Sequence, residues 1–206
     1  IGTGLVGSEM CIRDRTMACL AALKEEGKVR AIGISNVSIE QLDRYRVAGE
    51  LASHQCRYSM LFRAPEDDVL PYCAEHNVAS ICYMSLEQGL LTGKVGPDRS
   101  FNAGDWRANA EQWLPWFRRE NRQKLLDMFS GWQDLLEHHN CTIAQLVIAW
   151  TAAQPGATHI LCGLRTADQG IEAAGAAAIM LSESDVQRIS SDLTALGNPV
   201  TEQLGG

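Results

Sequence analysis

From Thr16 onward, short apolar segments alternate with segments of helical periodicity, and this alternation restricts the fold more than any other feature of the sequence. A short apolar run bounded by turn residues is typical of a strand buried on both faces of a parallel sheet. Four runs have this character, and we predict strands at residues 29–36, 56–61, 80–86 and 158–162. Strands that alternate with helices form right-handed βαβ units, so the sequence predicts an α/β protein with a parallel sheet.

Capping residues mark where the helices begin. Capping boxes are expected to open three of them: Ser38 with Gln41, Thr142 with Gln145, and Ser182 with Asp185. Asp68 can cap another helix, which places Pro71 in the first turn, where proline is tolerated. A complete (β/α)8 barrel needs eight strand–helix units and typically about 250 residues. We count four units and a C-terminal helix, so we predict a partial (β/α)8 TIM barrel.

Residues 1–15 fit neither pattern, and we expect them to be a non-native leader outside a fold that occupies residues 16–206. Gly2, Gly4 and Gly7 spell GxGxxG, the fingerprint of dinucleotide-binding proteins. That motif acts between a strand and a helix, where its glycines let a pyrophosphate approach the helix N-terminus. Only Ile1 precedes it here, so we interpret the fingerprint as accidental.

Charge and composition argue against several kinds of partner. The net charge is −7 and the pI is about 5.2, with no basic stripe, which argues against nucleic acid. No apolar run approaches the roughly 18 residues that a membrane span requires, so we expect no membrane partner. The seven cysteines form neither a CxxC pair nor a Cys/His cluster. We therefore expect reduced thiols, no metal site and a cytoplasmic location.

The segment from Glu87 to Phe117 interrupts the alternation and is rich in glycine and tryptophan. A stretch this long without regular periodicity inside a compact domain is usually a functional loop. Trp106, Trp113 and Trp116 have two interpretations that stay open. They line a substrate pocket, or they pack the loop onto the barrel.

Three stretches together resemble the aldo-keto reductase family. They are KEEGKVRAIGISN at residues 24–36, YMSLEQGLLTGK at residues 83–94 and GLRTADQGIE at residues 163–172. With Gln55 between the first two, their order and spacing extend the resemblance over about residues 16–197. The resemblance implies about the last four βα units of the family's barrel. It also implies a parent enzyme that transfers hydride between NADP(H) and a small-molecule carbonyl substrate, an aldehyde or a ketone.

The resemblance further implies a cofactor site. Ser35, Asn36 and Gln55 would hold the nicotinamide amide, for which they offer donors and acceptors, and the ring of Tyr83 would stack on the nicotinamide. Arg165 would pair with the 2′-phosphate through its planar charge and favour NADP over NAD. The other implied contacts are loop residues at the pyrophosphate (Ser85, Leu86, Gln88, Gly89, Leu91), Gly163 beside the arginine, and Gln169 and Glu172 at the adenine edge.

No position matches the family's catalytic tyrosine or the lysine, aspartate and histidine that support it. The resemblance begins after that region, so we predict no catalytic residue and expect the 206-residue chain alone to be inactive. A half-barrel would also expose strand edges available for self-association. Met84 and Ser85 stand where the family pattern has Ser-Pro, and Ala173 stands where it has asparagine.

Two other functions fit parts of the pattern. Potassium-channel β subunits resemble aldo-keto reductases and act as regulatory binding modules, so the chain is alternatively a module of that kind. Another phosphate-binding (β/α)8 enzyme would use the loop after the last strand, but it would leave Gln55 and Tyr83 without a shared purpose. A preference for NADPH over NADH would separate the reductase from both alternatives.

Overall fold

The structure, a computed structural model, describes residues 4–201, with side chains from residue 14 onward. Helix α1 (Gly4–Glu25) runs across the expected boundary at residue 15, and Gly27 follows it in the left-handed region with φ 72°. The glycine fingerprint lies partly outside the described residues. Its interpretation as accidental and the division at residue 15 therefore stay predictions.

Four strands form one sheet in the order β1-β2-β3-β4. Their bounds are β1 (Gly33–Ser35), β2 (Ser53–Arg57), β3 (Ala79–Tyr83) and β4 (His159–Ile160). The further helices are α2 (Ile39–Ala48), α3 (Val69–Glu75), α4 (Arg119–Ser130), α5 (Gln133–His139), α6 (Ile143–Ala152), α7 (Ala167–Gly175) and α8 (Glu183–Leu196). The pairs β1–β2 and β2–β3 are parallel, which confirms the predicted α/β fold with a parallel sheet.

The strand bounds differ from the sequence prediction, most of all in β2. The predicted strand was the apolar run 56–61, whereas the observed strand is the polar SHQCR at residues 53–57. His54 and Cys56 are buried on one face of this strand, while Gln55 is only half-buried on the other. Tyr58 and Met60 are fully buried after the strand has ended. Hydrophobicity therefore marked burial in this region and not the strand itself.

The chain divides into two compact units, and the first comprises residues 4–57, 62–83 and 155–159 of the described chain. Its core includes a cluster of Leu42, Leu51, Cys73 and Val78. The Ser38–Gln41 capping box opens α2, as predicted. Asp68 caps α3 through its side chain and places Pro71 in the first turn, which is also confirmed.

The second unit comprises residues 58–61, 84–154 and 160–201. Trp132 and Trp150 are fully buried, and their indole N–H groups donate to Asp192 Oδ2 at 2.8 Å and to Ser190 Oγ at 3.2 Å. The predicted capping boxes open α6 and α8. Among residues 4–201, no helix is both long and apolar enough to cross a membrane.

The segment 87–117 contains three short 3₁₀ helices, Glu87–Thr92, Trp106–Gln112 and Pro115–Phe117. The ring of Trp106 lies 5.9 Å from that of buried Phe117, centroid to centroid, yet 46% of Trp106 is exposed. Trp113 is 56% exposed. Trp106 thus packs partly on the loop itself, and the pocket-lining interpretation of the three tryptophans stays a prediction.

Gly156 has a φ of 83° and lies against α3, where an added Cβ would be 2.5 Å from the carbonyl oxygen of Leu70. Gly156→Ala is expected to lower the free energy of unfolding by about 3 kcal/mol, because left-handed strain and a backbone overlap add. Gly27→Ala is the matched control, since Gly27 has φ 72° but open space around it. Gly27→Ala should lower the free energy of unfolding, measured by urea denaturation, by only about 1 kcal/mol. An equal loss of stability in the two variants would contradict the overlap at Gly156.

Burial predicts which thiols react. Cys73 and Cys82 are fully buried and Cys56 nearly so, whereas Cys19 is exposed. Brief iodoacetamide treatment of the folded chain, followed by peptide mass spectrometry, should label Cys19 and spare the other three. Labelling in denaturant is the control and should modify all four. Labelling of Cys73 as fast as Cys19 in the folded chain would contradict this packing.

Candidate functional site

The first unit brings polar side chains to the carboxyl ends of three neighbouring strands or close to those ends. Ser35 ends β1 and pairs in register with Gln55 of β2, while Tyr83 ends β3 and pairs in register with Arg57. Carboxyl ends of parallel strands are where (β/α)8 proteins place their functional groups. We call Ser35, Asn36, Gln55 and Tyr83 the strand-end cluster.

Two hydrogen bonds connect the members of the strand-end cluster. The backbone N–H of Asn36 donates to the carbonyl oxygen of Gln55 at 3.1 Å, and Asn36 adopts a left-handed φ of 54°. The hydroxyl of Tyr83 donates to Asn36 Oδ1 at 2.8 Å. This bond fixes the orientation of the Tyr83 ring and leaves the amino group of Asn36 to serve as a donor. The structure therefore brings together the four residues expected at the nicotinamide.

Sequence reasoning missed Arg57, which lies beside Tyr83 at the end of β2. Its guanidinium carbon is 4.6 Å from the centroid of the Phe62 ring, a cation–π arrangement. The position was overlooked because the predicted strand began at Cys56 and ran on to residue 61. A strand that ends at Arg57 would have placed this cation at the edge where the other polar groups lie.

The loop after β3, in the second unit, has an unusual backbone. Met84, Glu87 and Gln88 have positive φ values of 64°, 42° and 56°, and Gly89 follows at 101°. Non-glycine residues in this region are strained and persist only where the surroundings hold them. The buried carboxylate of Glu87 accepts a hydrogen bond from Ser59 Oγ at 2.6 Å. This loop is therefore held in a shape that its sequence would not favour.

Of the five loop residues expected at the pyrophosphate, two have side chains that are committed elsewhere. Ser85 is 1% exposed, and its hydroxyl donates to the carbonyl oxygen of Leu161 at 2.9 Å. The side chain of Leu91 is fully buried. Leu86, Gln88 and Gly89 are half-buried. A ligand at this loop would consequently meet Ser85 and Leu91 only through their backbone groups.

The segment around Arg165 begins α7. Gly163 and Arg165 are exposed, and 66% of the Arg165 side chain is open to solvent. Gln169 Oε1 accepts from the backbone N–H of Arg165 at 2.8 Å, while Thr166 caps the helix. The side chain of Gln169 thus stabilises the start of the helix. Many polar side chains at helix starts have this local structural role and do not bind a ligand.

Glu172, the second residue expected at the adenine, also has protein partners. Its carboxylate lies 3.1 Å from Lys94 Nζ. A hydrogen bond with Thr142 and then the one from Lys94 hold the pKa of Glu172 below its usual value. Because Gln169 and Glu172 both have partners, contact with an adenine would require each to share or exchange a bond.

Sequence reasoning also missed Asp105 and Arg107, which lie in the loop 87–117. Arg107 Nη1 donates to the carbonyl oxygen of Gln88 at 3.0 Å, and its guanidinium pairs with Asp105. The hydrogen bonds from Arg107 hold the pKa of Asp105 well below its usual range. The signal was present as an acidic residue before a short helix, a typical N-cap, followed two residues later by arginine.

The family model described as the aldo/keto reductase family matches residues 11–193. The chain belongs to the aldo-keto reductase family. It is therefore a member of an oxidoreductase family whose enzymes use the nicotinamide cofactors NADPH or NADH. The resemblance read from the three sequence stretches is confirmed.

Three relatives illustrate the similarity. An NADH-specific methylglyoxal reductase of Escherichia coli is 41% identical over 170 residues, which are 82% of this chain and 50% of the relative. An aldo-keto reductase of Schizosaccharomyces pombe, named with NADP(+), is 30% identical over 85% of this chain and 52% of the relative. The solved glycerol dehydrogenase of Gluconobacter oxydans superposes with a TM-score of 0.81 at 29% identity, covering 94% of this chain and 58% of that one. The chain spans about half the length of the curated relatives that it matches.

The position of Ser85 generates a stability prediction. Ser85→Ala should lower the free energy of unfolding by about 1–2 kcal/mol, because it leaves the carbonyl of Leu161 without its buried donor. Ser35→Ala, at an exposed serine, is the matched control and should alter stability by less than about 0.5 kcal/mol. Urea denaturation measures both variants, and an unchanged stability in Ser85→Ala would contradict the bond.

Proposed function

We propose that this chain carries the cofactor-binding portion of an NADP(H)-dependent reductase that acts on an aldehyde or a ketone. The observation that carries the proposal is the strand-end cluster, in which Tyr83 donates to Asn36 while Gln55 lies in register with Ser35. An isolated residue of these types would serve a turn or the core. Four of them joined at one sheet edge in an aldo-keto reductase chain support a shared role.

The strand-end cluster fits the nicotinamide end of the cofactor. The carboxamide of nicotinamide needs both donors and acceptors, which Gln55, Asn36 and Ser35 supply. Tyr83 is half-buried with a fixed ring, so it can stack on a flat heterocycle and determine which face stays open to a substrate. Bound NADPH would supply the hydride, while the residues of this chain bind and orient it.

Arg165 is the residue that we assign to the 2′-phosphate. Its guanidinium is exposed and permanently charged, and arginine pairs with phosphate through a planar fork. Backbone groups of the loop 85–91 would meet the pyrophosphate. One relative is named as NADH-specific and another is named with NADP(+), so membership of the family leaves the choice of cofactor to residues such as Arg165.

We also propose that β1 to β4 are the last four strands of a (β/α)8 barrel. The sheet order, the parallel pairs and the coverage of about half of each relative support this assignment. None of the 206 residues matches the family's catalytic tyrosine, so we expect them to bind cofactor without turnover. Strand edges of such a part would favour self-association. The cysteine pattern supports a cytoplasmic location.

The relatives reported above are named as reductases or a dehydrogenase, which gives no support to a channel β subunit. Turnover assays with NADPH and a panel of aldehydes test the catalytic part of the proposal. We expect NADPH binding without oxidation of NADPH. Turnover at the rate of an intact reductase would contradict the absence of a proton donor.

The assignment of Arg165 predicts a selective loss of affinity. Arg165→Ala should weaken NADPH binding by about tenfold to a hundredfold, because a charge-assisted pair is lost, and change NADH binding less than about twofold. Calorimetric titration of the chain with each cofactor measures both. Arg119→Ala is the matched control, since Arg119 is 68% exposed and pairs with Asp98. An equal effect on both cofactors, or none on NADPH, would contradict the proposed role.

A further inference from the structure

Asp105 is a fixed anion in the second unit. It stands at the N-terminus of the 3₁₀ helix Trp106–Gln112, and its Oδ1 accepts the backbone N–H of Arg107 at 3.1 Å. The guanidinium of Arg107 also donates to Oδ1 at 3.0 Å and to Oδ2 at 2.6 Å. Both side chains are about 15% exposed. Such a bidentate pair is charge-assisted and directional, so the carboxylate has little freedom to move.

Arg165 lies next to the same carboxylate. Its Nη1 is 3.8 Å from Asp105 Oδ2, which is an ion-pair distance but longer than a hydrogen bond. Arg165 is therefore attracted by Asp105 without being locked to it. A second anion that approaches Arg165 would meet both the arginine and the carboxylate.

The neighbouring cation does not remove this competition. Arg107 is already committed to Asp105, to the carbonyl oxygen of Gln88 at 3.0 Å and to the face of Phe101, 4.5 Å from its guanidinium carbon to the ring centroid. It is thus placed to neutralise Asp105 in part but not to take up a ligand. At the 3.8 Å separation of Arg165 and Asp105, the interaction between unit charges stays appreciable even near water.

We propose that Asp105 is a specificity-determining residue that weakens the preference for a 2′-phosphorylated adenosine by competing for Arg165. A phosphate at Arg165 would compete with Asp105 for the guanidinium, and the carboxylate of Asp105 would repel the phosphate. A ribose hydroxyl carries no charge, suffers no such repulsion and can donate to a carboxylate. The inference rests on the proposed role of Arg165 at the 2′ position and refines it.

The simpler alternative is that Asp105 only stabilises the loop by capping the 3₁₀ helix and holding Arg107. If the pair were purely structural, neutralising either Asp105 or Arg107 would loosen the loop, and both variants would change the preference between the two adenosine ligands in the same direction. Competition for Arg165 predicts opposite directions. Removing the charge of Asp105 frees Arg165, whereas removing the charge of Arg107 leaves Asp105 to act more strongly on Arg165.

The test uses adenosine 2′,5′-bisphosphate and adenosine 5′-monophosphate as probes, titrated calorimetrically into the 206-residue chain. The measured quantity is the ratio of their affinities. In Asp105→Asn, preference for the bisphosphate should rise about threefold to tenfold. In Arg107→Gln it should fall by a similar factor. Asparagine keeps an acceptor for the cap, and Asp105→Ser, which also keeps one, provides a second neutral variant with the same expected rise.

Combination with Arg165→Ala completes the design. If Asp105 acts through Arg165, Asp105→Asn should no longer change the ratio in the Arg165→Ala background. An unchanged or lower ratio in both Asp105→Asn and Asp105→Ser would overturn the inference while leaving the role of Arg165 intact. If Arg165→Ala does not weaken binding of the bisphosphate, in the starting chain or in Asp105→Asn, the proposed role of Arg165 fails and this inference fails with it.

Discussion

The parallel pairing of β2 with β1 and β3 is the constraint on which the first unit depends. Its register sets Gln55 beside Ser35 and Arg57 beside Tyr83. Side chains alternate along a strand, so a slip of one residue would turn Gln55 toward the buried face and bring His54 out of it. The burial of His54 and Cys56 on one face therefore also determines which polar groups the other face presents.

In the second unit, the ion pair of Asp105 and Arg107 is the comparable structural constraint. Arg107 reaches the carbonyl of Gln88, inside the stretch where non-glycine residues hold positive φ values. The contacts that support this strained loop thus share a carboxylate with the exposed Arg165. Loop geometry and local charge are coupled here, because one acidic side chain contributes to both.

Membership of the aldo-keto reductase family could be read from the sequence since its three stretches are contiguous segments of backbone. The starts of the helices could also be predicted from the sequence. The capping boxes at Ser38 and Thr142 form because each side chain accepts a hydrogen bond from the backbone amide three residues later. The bounds of the strands were harder to predict, since β2 is polar and owes its conformation to the strands on either side of it. Propensity has little weight in a strand that is paired on both sides.

The sequence alone determined the alternation of strands and helices, the capping of the helices and the membership of the family, because these depend on local spacing and contiguous segments. The tertiary structure decided how individual residues are used. It joined Tyr83 to Asn36 across 47 positions of sequence, committed the hydroxyl of Ser85 to Leu161, and set Asp105 beside Arg165. Such pairs form between segments that only the folded chain brings together, so no local pattern encodes them.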